Sequence, residues 1–474
     1  MTIPEPPKAT LRRLIFNNAN NIFPTLTMRK TLFALLTLFS SLTLTAESGN
    51  NISTKGVAPR RTEFISYTTR NAAEKGDRAN ERYYQNLLYR LTSTAVGESG
   101  EVTKTYEVEL PMVWRDRDVF LHTEGGAAEK RIRVNGKDVG ECRDDRTPSE
   151  FLITKFLQDG ITTIEVISPA ECDLRPAEML GANPLEEQLF LYAQPPIRIH
   201  DVIVSAEPDA TGRFGVLMMD VVVSSSRRTA ENISVGYDIY SPEKELKYYD
   251  LREFTARPVG MDTLRFQTNI YGAMERLWSA ESPKLYDVTL YLKRGGIISE
   301  YINIHIGFGT TTFADGTLYR NGKAVEISAA RYNTSSGAKT TEADIKALKK
   351  EKINTLYIDY PQPYWFYDIC DRVGMYVVEQ ANINTDPKGG DMSRRGTLAN
   401  NPQWLDEFIE RISASYYRVR IHPSVVAWSL GGNSGNGYNM YKCYEWMKER
   451  ESKRPVVYGS GEWNSDLKLP EAKR

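Results

Sequence analysis

The chain has 474 residues, with 60 basic against 61 acidic side chains and a formal charge of −1. That length exceeds what one compact core supports, so two or three domains are expected. The charge is balanced and has no long run of either sign, so neither nucleic acid nor an anionic membrane is expected as a partner.

Residues 1–27 lack targeting character and read as an untranslated or untargeted leader. Met28-Arg29-Lys30 is then followed by an apolar run from Thr31 to Thr45 that closes on Ala46. This is the pattern of a secretory signal peptide over 28–46, too short to span a bilayer. A periplasmic or extracellular location is therefore expected, and with no Cys after the run no membrane anchor is expected. Of the four cysteines, Cys142 and Cys172 fall in one expected domain and could pair in an oxidising compartment. Cys370 and Cys443 lie in helical patterns as buried thiols, and the set has no metal-ligand spacing.

Residues 47 to about 97 are polar and irregular, with a helical-looking stretch at 82–90. From Val102 the pattern becomes short strands, among them 119–122, 130–134 and 163–167, with Asn135-Gly136 as a tight hairpin turn. Alone, these imply a β-sandwich. A second sandwich opens near 197–202, includes strands at 216–223 and 233–237, and runs to about 306. Beyond Gly309 strands and helices alternate: a strand at 325–329, a helix opened by the Thr341-Glu342-Ala343-Asp344 capping box, a strand at 354–358 and a helix at 365–373. Strands at 375–379, 425–429 and 456–458 follow, with a long helix after Asn401-Pro402 between the first two. Repeated βα units of this kind imply a parallel sheet.

Several segments carry a more specific signal. Trp428-Ser429-Leu430-Gly431-Gly432-Asn433-Ser434-Gly435 resembles the W-S-L-G-N-E-S-G motif of glycoside hydrolase family 2, the family of the large β-galactosidases and β-glucuronidases. His422-Pro423-Ser424 matches the family's entry to the same strand, and residues 278–286 resemble its W-S-x-E-x-P-x-L-Y segment. Asn135-Gly136 and Thr147-Pro148 with Phe151, Ile153 and Thr154 are similar to its N-terminal domain. The resemblance implies a jelly-roll sugar-binding-like domain over 47–200 and an immunoglobulin-like sandwich over 201–306. Over 307–474 it implies an incomplete (β/α)8 TIM barrel of about five βα units. Trp278 and Tyr286 are then packing residues.

Active sites of such barrels lie at the C-terminal strand ends, where this chain departs from the family. After the first strand the family has Arg-His-Glu, and here Arg331-Tyr332-Asn333 stands. After the second, Asp359 replaces a His. After the third, the family's D-E-A-N-I-E-T-H becomes Glu379-Gln380-Ala381-Asn382-Ile383-Asn384-Thr385-Asp386. Asn384 and Asp386 thereby replace the Glu and His of a magnesium site, so no metal or other cofactor is expected. After the fourth, Asn433 occupies the place of the general acid/base, and an amide can neither give nor take that proton. The retaining reaction also needs a nucleophilic carboxylate roughly 5–5.5 Å away, which the family supplies from its seventh strand. Glu462 is the remaining loop carboxylate considered for the pocket.

The expected function is a catalytically inactive, secreted relative acting as a carbohydrate-binding or assembly module. Arg331, Asp359, Asn382, Asn433 and Trp463 are its candidate sugar pocket. An unfinished barrel would leave Val377, Val426 and Trp428 near water, so self-association or a protein partner is expected to cover it. The alternatives are an active retaining β-glycosidase whose remaining barrel and nucleophile lie outside this chain, or a truncated product. The mature protein is expected to begin close to Glu47. Intact-mass measurement of secreted material checks this, and retention of the apolar run would refute it.

Overall fold

The computed structural model describes residues 59–78, 81–127, 129–170, 187–385, 393, 396–459, 461 and 463–473. The leader, the signal segment, Cys172, Asp386 and Glu462 lie outside them, and Cys142 is buried.

The first sandwich packs two antiparallel sheets. One is ordered Leu91–Val96, Val102–Glu109, Ile161–Ser168, Lys130–Val134 and Lys137–Cys142. The other is ordered Tyr84–Asn86, Gln188–Gln194, Asp118–Glu124 and Ser149–Leu152. The Asn135-Gly136 turn has positive φ at both residues, as a two-residue hairpin matched to strand twist requires. Alternating residues meet between the sheets, with Leu121, Ile132, Val134, Ile164 and Leu191 fully enclosed. The helix expected at 82–90 is instead the edge strand Tyr84–Asn86 and a 3-10 turn at Leu88–Arg90. Pairing with Gln188–Gln194 overrides the local helical period there.

The second sandwich sets Ile197–Pro208, Phe214–Ser225 and Gly260–Tyr271 against Leu246–Ala256, Glu231–Tyr240, Tyr286–Arg294 and Ile297–Ile306. Val221, Val235, Tyr286 and Leu290 lie in its core. Trp278, just before Tyr286–Arg294, is fully buried and donates from Nε1 to the carbonyl of Asp371 at 2.9 Å, which ties this domain to the next.

The third domain is a five-stranded parallel sheet in chain order: Ala329–Arg331, Thr355–Tyr357, Tyr376–Gln380, Val425–Ser429 and Val456–Val457. Helices Ala338–Lys350, Tyr364–Val373, Leu405–Val419 and Tyr438–Arg450 cover one side. The sheet is open, so the barrel is not closed among the described residues. The first strand begins at Ala329, where pairing with Thr355 becomes possible, and not at Val325. Val325 instead donates to Leu318, and its side chain packs beneath the sheet. The first helix starts at Ala338 after Gly337, so the supposed capping box lies inside its first turns and Thr341 is buried. Asn401 does cap the next segment, accepting from Gln403 at 3.2 Å.

The expectation that Val377, Val426 and Trp428 lie near water is overturned: they are 0%, 1% and 1% exposed. Val377 and Trp428 face the helices, among Phe408, Ile412 and Met447. Val426 faces the other way, with Val378 and Val457, and there Leu467 covers it together with Val325, Ile327 and Leu469. Residues 466–473 run from the last strand to the first: Asp466 donates to Val456 at 2.7 Å, Tyr357 donates to Pro470 at 3.0 Å and Lys473 to Ala329 at 2.8 Å. One extended segment thus occupies both open edges and the apolar face between them. Leu467→Ala is expected to cost about 2–5 kcal/mol, the range for a buried leucine. Hydrogen exchange should rise in the third and fourth parallel strands and stay unchanged in the two sandwiches. Unaltered exchange in those strands would show that the segment does not hold the sheet.

Candidate functional site

Strand alternation decides which side chains reach the C-terminal lip of the parallel sheet. On the third strand Glu379 turns toward the helices, where it is fully buried. Its Oε2 accepts from Tyr367 at 2.7 Å and its Oε1 from Ser415 at 2.8 Å. The next residue, Gln380, points the other way and joins the strand ends together.

Four of those ends form one network. Asp359, after the second strand, pairs with Arg331 from the first and accepts from Asn333 Nδ2 at 2.7 Å. Asn333 Oδ1 accepts in return from the Asp359 amide at 2.9 Å and from Gln362 Nε2 at 3.2 Å. Gln380 Nε2 donates to the Asp359 carbonyl at 2.6 Å, and Gln380 Oε1 accepts from Ser429, on the fourth strand, at 3.2 Å. Gln362 is fully buried and its Oε1 accepts from Thr334 N and Oγ1 at 2.8 and 3.0 Å. Apart from the Arg331–Asp359 pair, these groups are amides and hydroxyls that satisfy one another.

The third and fourth strand ends form a second patch. Gly432 donates to the Ile383 carbonyl at 2.7 Å, and Ser434 Oγ accepts from Thr385 N at 2.9 Å. A Cβ on Gly432 would lie 3.3 Å from the Asn384 side chain, so Gly432 stands beside Asn384, and the next residue, Asn433, is solvent-exposed.

The sequence-predicted residues are thus only partly brought together. Arg331 and Asp359 are paired. Asn433 lies on the neighbouring lip, and Trp463 is 81% exposed on the loop after the fifth strand. Asn382 is buried and turned elsewhere: its Nδ2 donates to Asp144 at 2.6 Å and to Asp145 at 3.2 Å, on a loop of the first sandwich. Burial, and then the neighbouring Asp144, raise the Asp145 pKa. Gln380 and Gln362 were missed by sequence reading. The signal for Gln380 was present, since it stands where the family's third-strand motif has Glu. Gln362 had no such signal, because only the fold brings it to Asn333.

One group of potential metal ligands occurs among the described residues: Asp368, Asp371 and His422. His422 Nδ1 lies 2.6 Å from Asp371 Oδ2, and Asp371 Oδ1 accepts from Ser424 N at 3.0 Å. This group precedes the fourth strand, at the opposite end of the sheet from Asn433, and its hydrogen bonds fix the entry to that strand.

Burial, the largest effect, pushes the Glu379 carboxyl up to about 7 from 4.5, against the opposing hydrogen bonds of Tyr367 and Ser415. Between pH 4.5 and 7 the unfolded carboxyl ionises while the folded one keeps its proton, so this group makes the fold less stable as pH rises. The loss amounts to about 3 kcal/mol across that window and is flat beyond it. Glu379→Gln is expected to remove this component, so that the variant gains on the wild type as pH rises from 4.5 to 7. Urea unfolding of both proteins across pH 4–8 measures the difference. A pH-independent difference would refute the assignment.

Two family profiles match the chain: "Glycosyl hydrolases family 2" over residues 197–308 and "Glycosyl hydrolases family 2, TIM barrel domain" over 329–470. Among curated proteins it is similar to a β-galactosidase of Klebsiella pneumoniae, 30% identical over 404 residues, covering 80% of this chain and 38% of that protein. A Psychromonas ingrahamii β-galactosidase is 30% identical over 366 residues, covering 74% and 35% respectively. The chain therefore spans little more than a third of these relatives' length. Among solved structures it resembles a Bacteroides uniformis β-glucuronidase (TM-score 0.65, 18% identity, 76% of this chain and 46% of that one). It also resembles a putative β-galactosidase from Bacteroides fragilis (TM-score 0.65, 17% identity, 81% and 60%).

Proposed function

From the premise that the chain belongs to glycoside hydrolase family 2, we propose that it is a secreted, catalytically inactive member that binds carbohydrate at the strand ends. The observation that carries this reading is Asn433. It occupies the exposed lip of the fourth strand where the family motif has its acid/base, and its amide cannot protonate a leaving oxygen or activate water. The surrounding groups agree. Gln380 and Asn384 stand where the family's third-strand motif has carboxylates, and Glu379 is held among the helices by Tyr367 and Ser415. Arg331, Asp359 and Asn433 offer both donors and acceptors to hydroxyl groups, and Trp463 offers an exposed ring for stacking on a sugar face.

A second reading is an active retaining β-glycosidase whose remaining barrel and nucleophile lie outside this chain, which the short span of the match to its relatives favours. It still requires an acid at position 433. The expected outcome is no hydrolysis of aryl β-galactosides or β-glucuronides above the uncatalysed rate, since a positioned acid/base typically supplies about 10²–10⁴-fold. Galactosides are expected to alter tryptophan fluorescence, and Trp463→Ala to weaken that binding. Turnover abolished by Glu379→Gln or Glu462→Gln would overturn the inactive reading.

A further inference from the structure

A cleft away from the strand ends is formed by other residues. It lies where the segment 59–68 passes between the first sandwich and helix Leu405–Val419, with about 890 Å³ of empty space that is partly open to solvent. Its carboxylates are already engaged. Glu150 accepts from Arg61 Nη2 on both oxygens, at 3.1 and 3.0 Å, and lies 3.2 Å from His122 Nδ1. Glu63 pairs with Arg418, and Glu81 accepts from Thr68 N and Oγ1 at 3.0 and 2.8 Å.

Two cations in the same wall are not so engaged. The Arg78 guanidinium lies 3.7 Å from the Phe190 ring centroid and 4.8 Å from that of Tyr84. The Arg117 guanidinium lies 3.4 Å from Tyr83, with the Ala193 carbonyl at 3.5 Å. No carboxylate pairs with either among the described residues. Burial lowers the pKa of both. Rings on the guanidinium faces hold each group in place and leave its in-plane N–H donors for another acceptor. Partly buried charges are ordinarily matched by an opposite charge, and both arginines line the cleft.

We propose that this cleft is a second ligand site, in which Arg78 and Arg117 hold the oxyanion of a small acidic sugar, as a carboxylate or a sulfate ester. Guanidinium groups suit both, through paired N–H donors on two oxygens. The tyrosines and the Ser66–Thr68 segment in the same wall give the ring a surface that is partly aromatic and partly hydroxylic. The oxyanion rests on the two arginines alone, whereas the sugar rests on the family reading.

Calorimetry of the full chain with D-galacturonate, galactose 6-sulfate, inorganic sulfate and neutral D-galactose tests this. Both acidic sugars are expected to bind and D-galactose to give no heat at this site. Arg78→Gln and Arg117→Gln are each expected to weaken binding about tenfold, the size of one charge-assisted contact. Added salt is expected to weaken wild-type binding, which is read without any variant. Absence of heat from every anion at millimolar concentration overturns the site, as does undiminished binding in both variants with the wild-type urea midpoint. Inorganic sulfate binding as tightly as the sugar sulfate overturns the sugar assignment. Hydrolytic activity at the strand ends would leave this result untouched, so the two readings fail separately.

Discussion

The arrangement of the domains depends on one guanidinium. Arg418, in the last turn of helix Leu405–Val419, is 3% exposed and pairs with Glu63 and with Glu124, the latter at 2.8 Å. Its Nη1 also donates to the carbonyls of Gln362 at 3.0 Å and Arg146 at 3.4 Å. These partners come from the N-terminal segment, a strand end and a loop of the first sandwich, and the second strand end of the parallel sheet. Burial alone would discharge such a group. Glu124 and Glu63 outweigh that effect and raise its pKa. A buried charge is tolerable only when its partners are all in place, and losing one typically costs about 3–5 kcal/mol. The domains therefore assemble together around Arg418. Arg420 repeats the device nearby, pairing with Asp201 and donating to Thr62.

This constraint reaches the strand ends through Gln362. Its carbonyl is held by Arg418, and its side chain holds Asn333 and Thr334. Asn333 in turn orients Asp359. The candidate site is thus rigid for reasons of interdomain packing. Its polar groups are mostly amides, which keep their hydrogen bonds at any ordinary pH and move no protons. The buried carboxyl of raised pKa, Glu379, would suggest a catalytic acid if read alone. Its position among the helices, with both oxygens occupied, makes it a structural group.

What was legible in the sequence follows the range of the forces involved. The strand at 130–134 and the Asn135-Gly136 turn were readable because alternation and turn chemistry are local. Trp278 and the fourth parallel strand were readable from short motifs. The stretch at 82–90 was misread because sheet pairing with a segment about 100 residues away outweighs helical period. Val377 and Trp428 were misplaced for a related reason: a five-residue apolar strand does not announce which face meets the helices, and a register shift opposite Val377 and Val378 puts an extra residue into the fourth strand, so that Val426 and Ala427 share one face. The turning of Asn382 toward Asp144 was invisible, as its partner belongs to another domain. So was the role of residues 466–473, whose cover of the sheet depends on where both edges lie in space.

The same reasoning separates the residues of the fourth-strand motif that packing demands from the one that it does not explain. Trp428 is buried against Tyr416 and donates to Glu451 at 3.3 Å, and Ser429 donates to Gln380. Leu430 is fully enclosed. Gly431 has φ +153°, and a Cβ there would lie 2.6 Å from the Ile383 carbonyl, so any other residue would force the third and fourth strand ends apart. Ser434 holds Thr385. Each of these residues is demanded by packing, whether or not any bond is ever cleaved nearby. Position 433 lies on the exposed lip, and an acid is required there only by the reaction. The resemblance around Asn433 therefore testifies to the fold, and the chemistry has to be judged from that one side chain and the groups that face it.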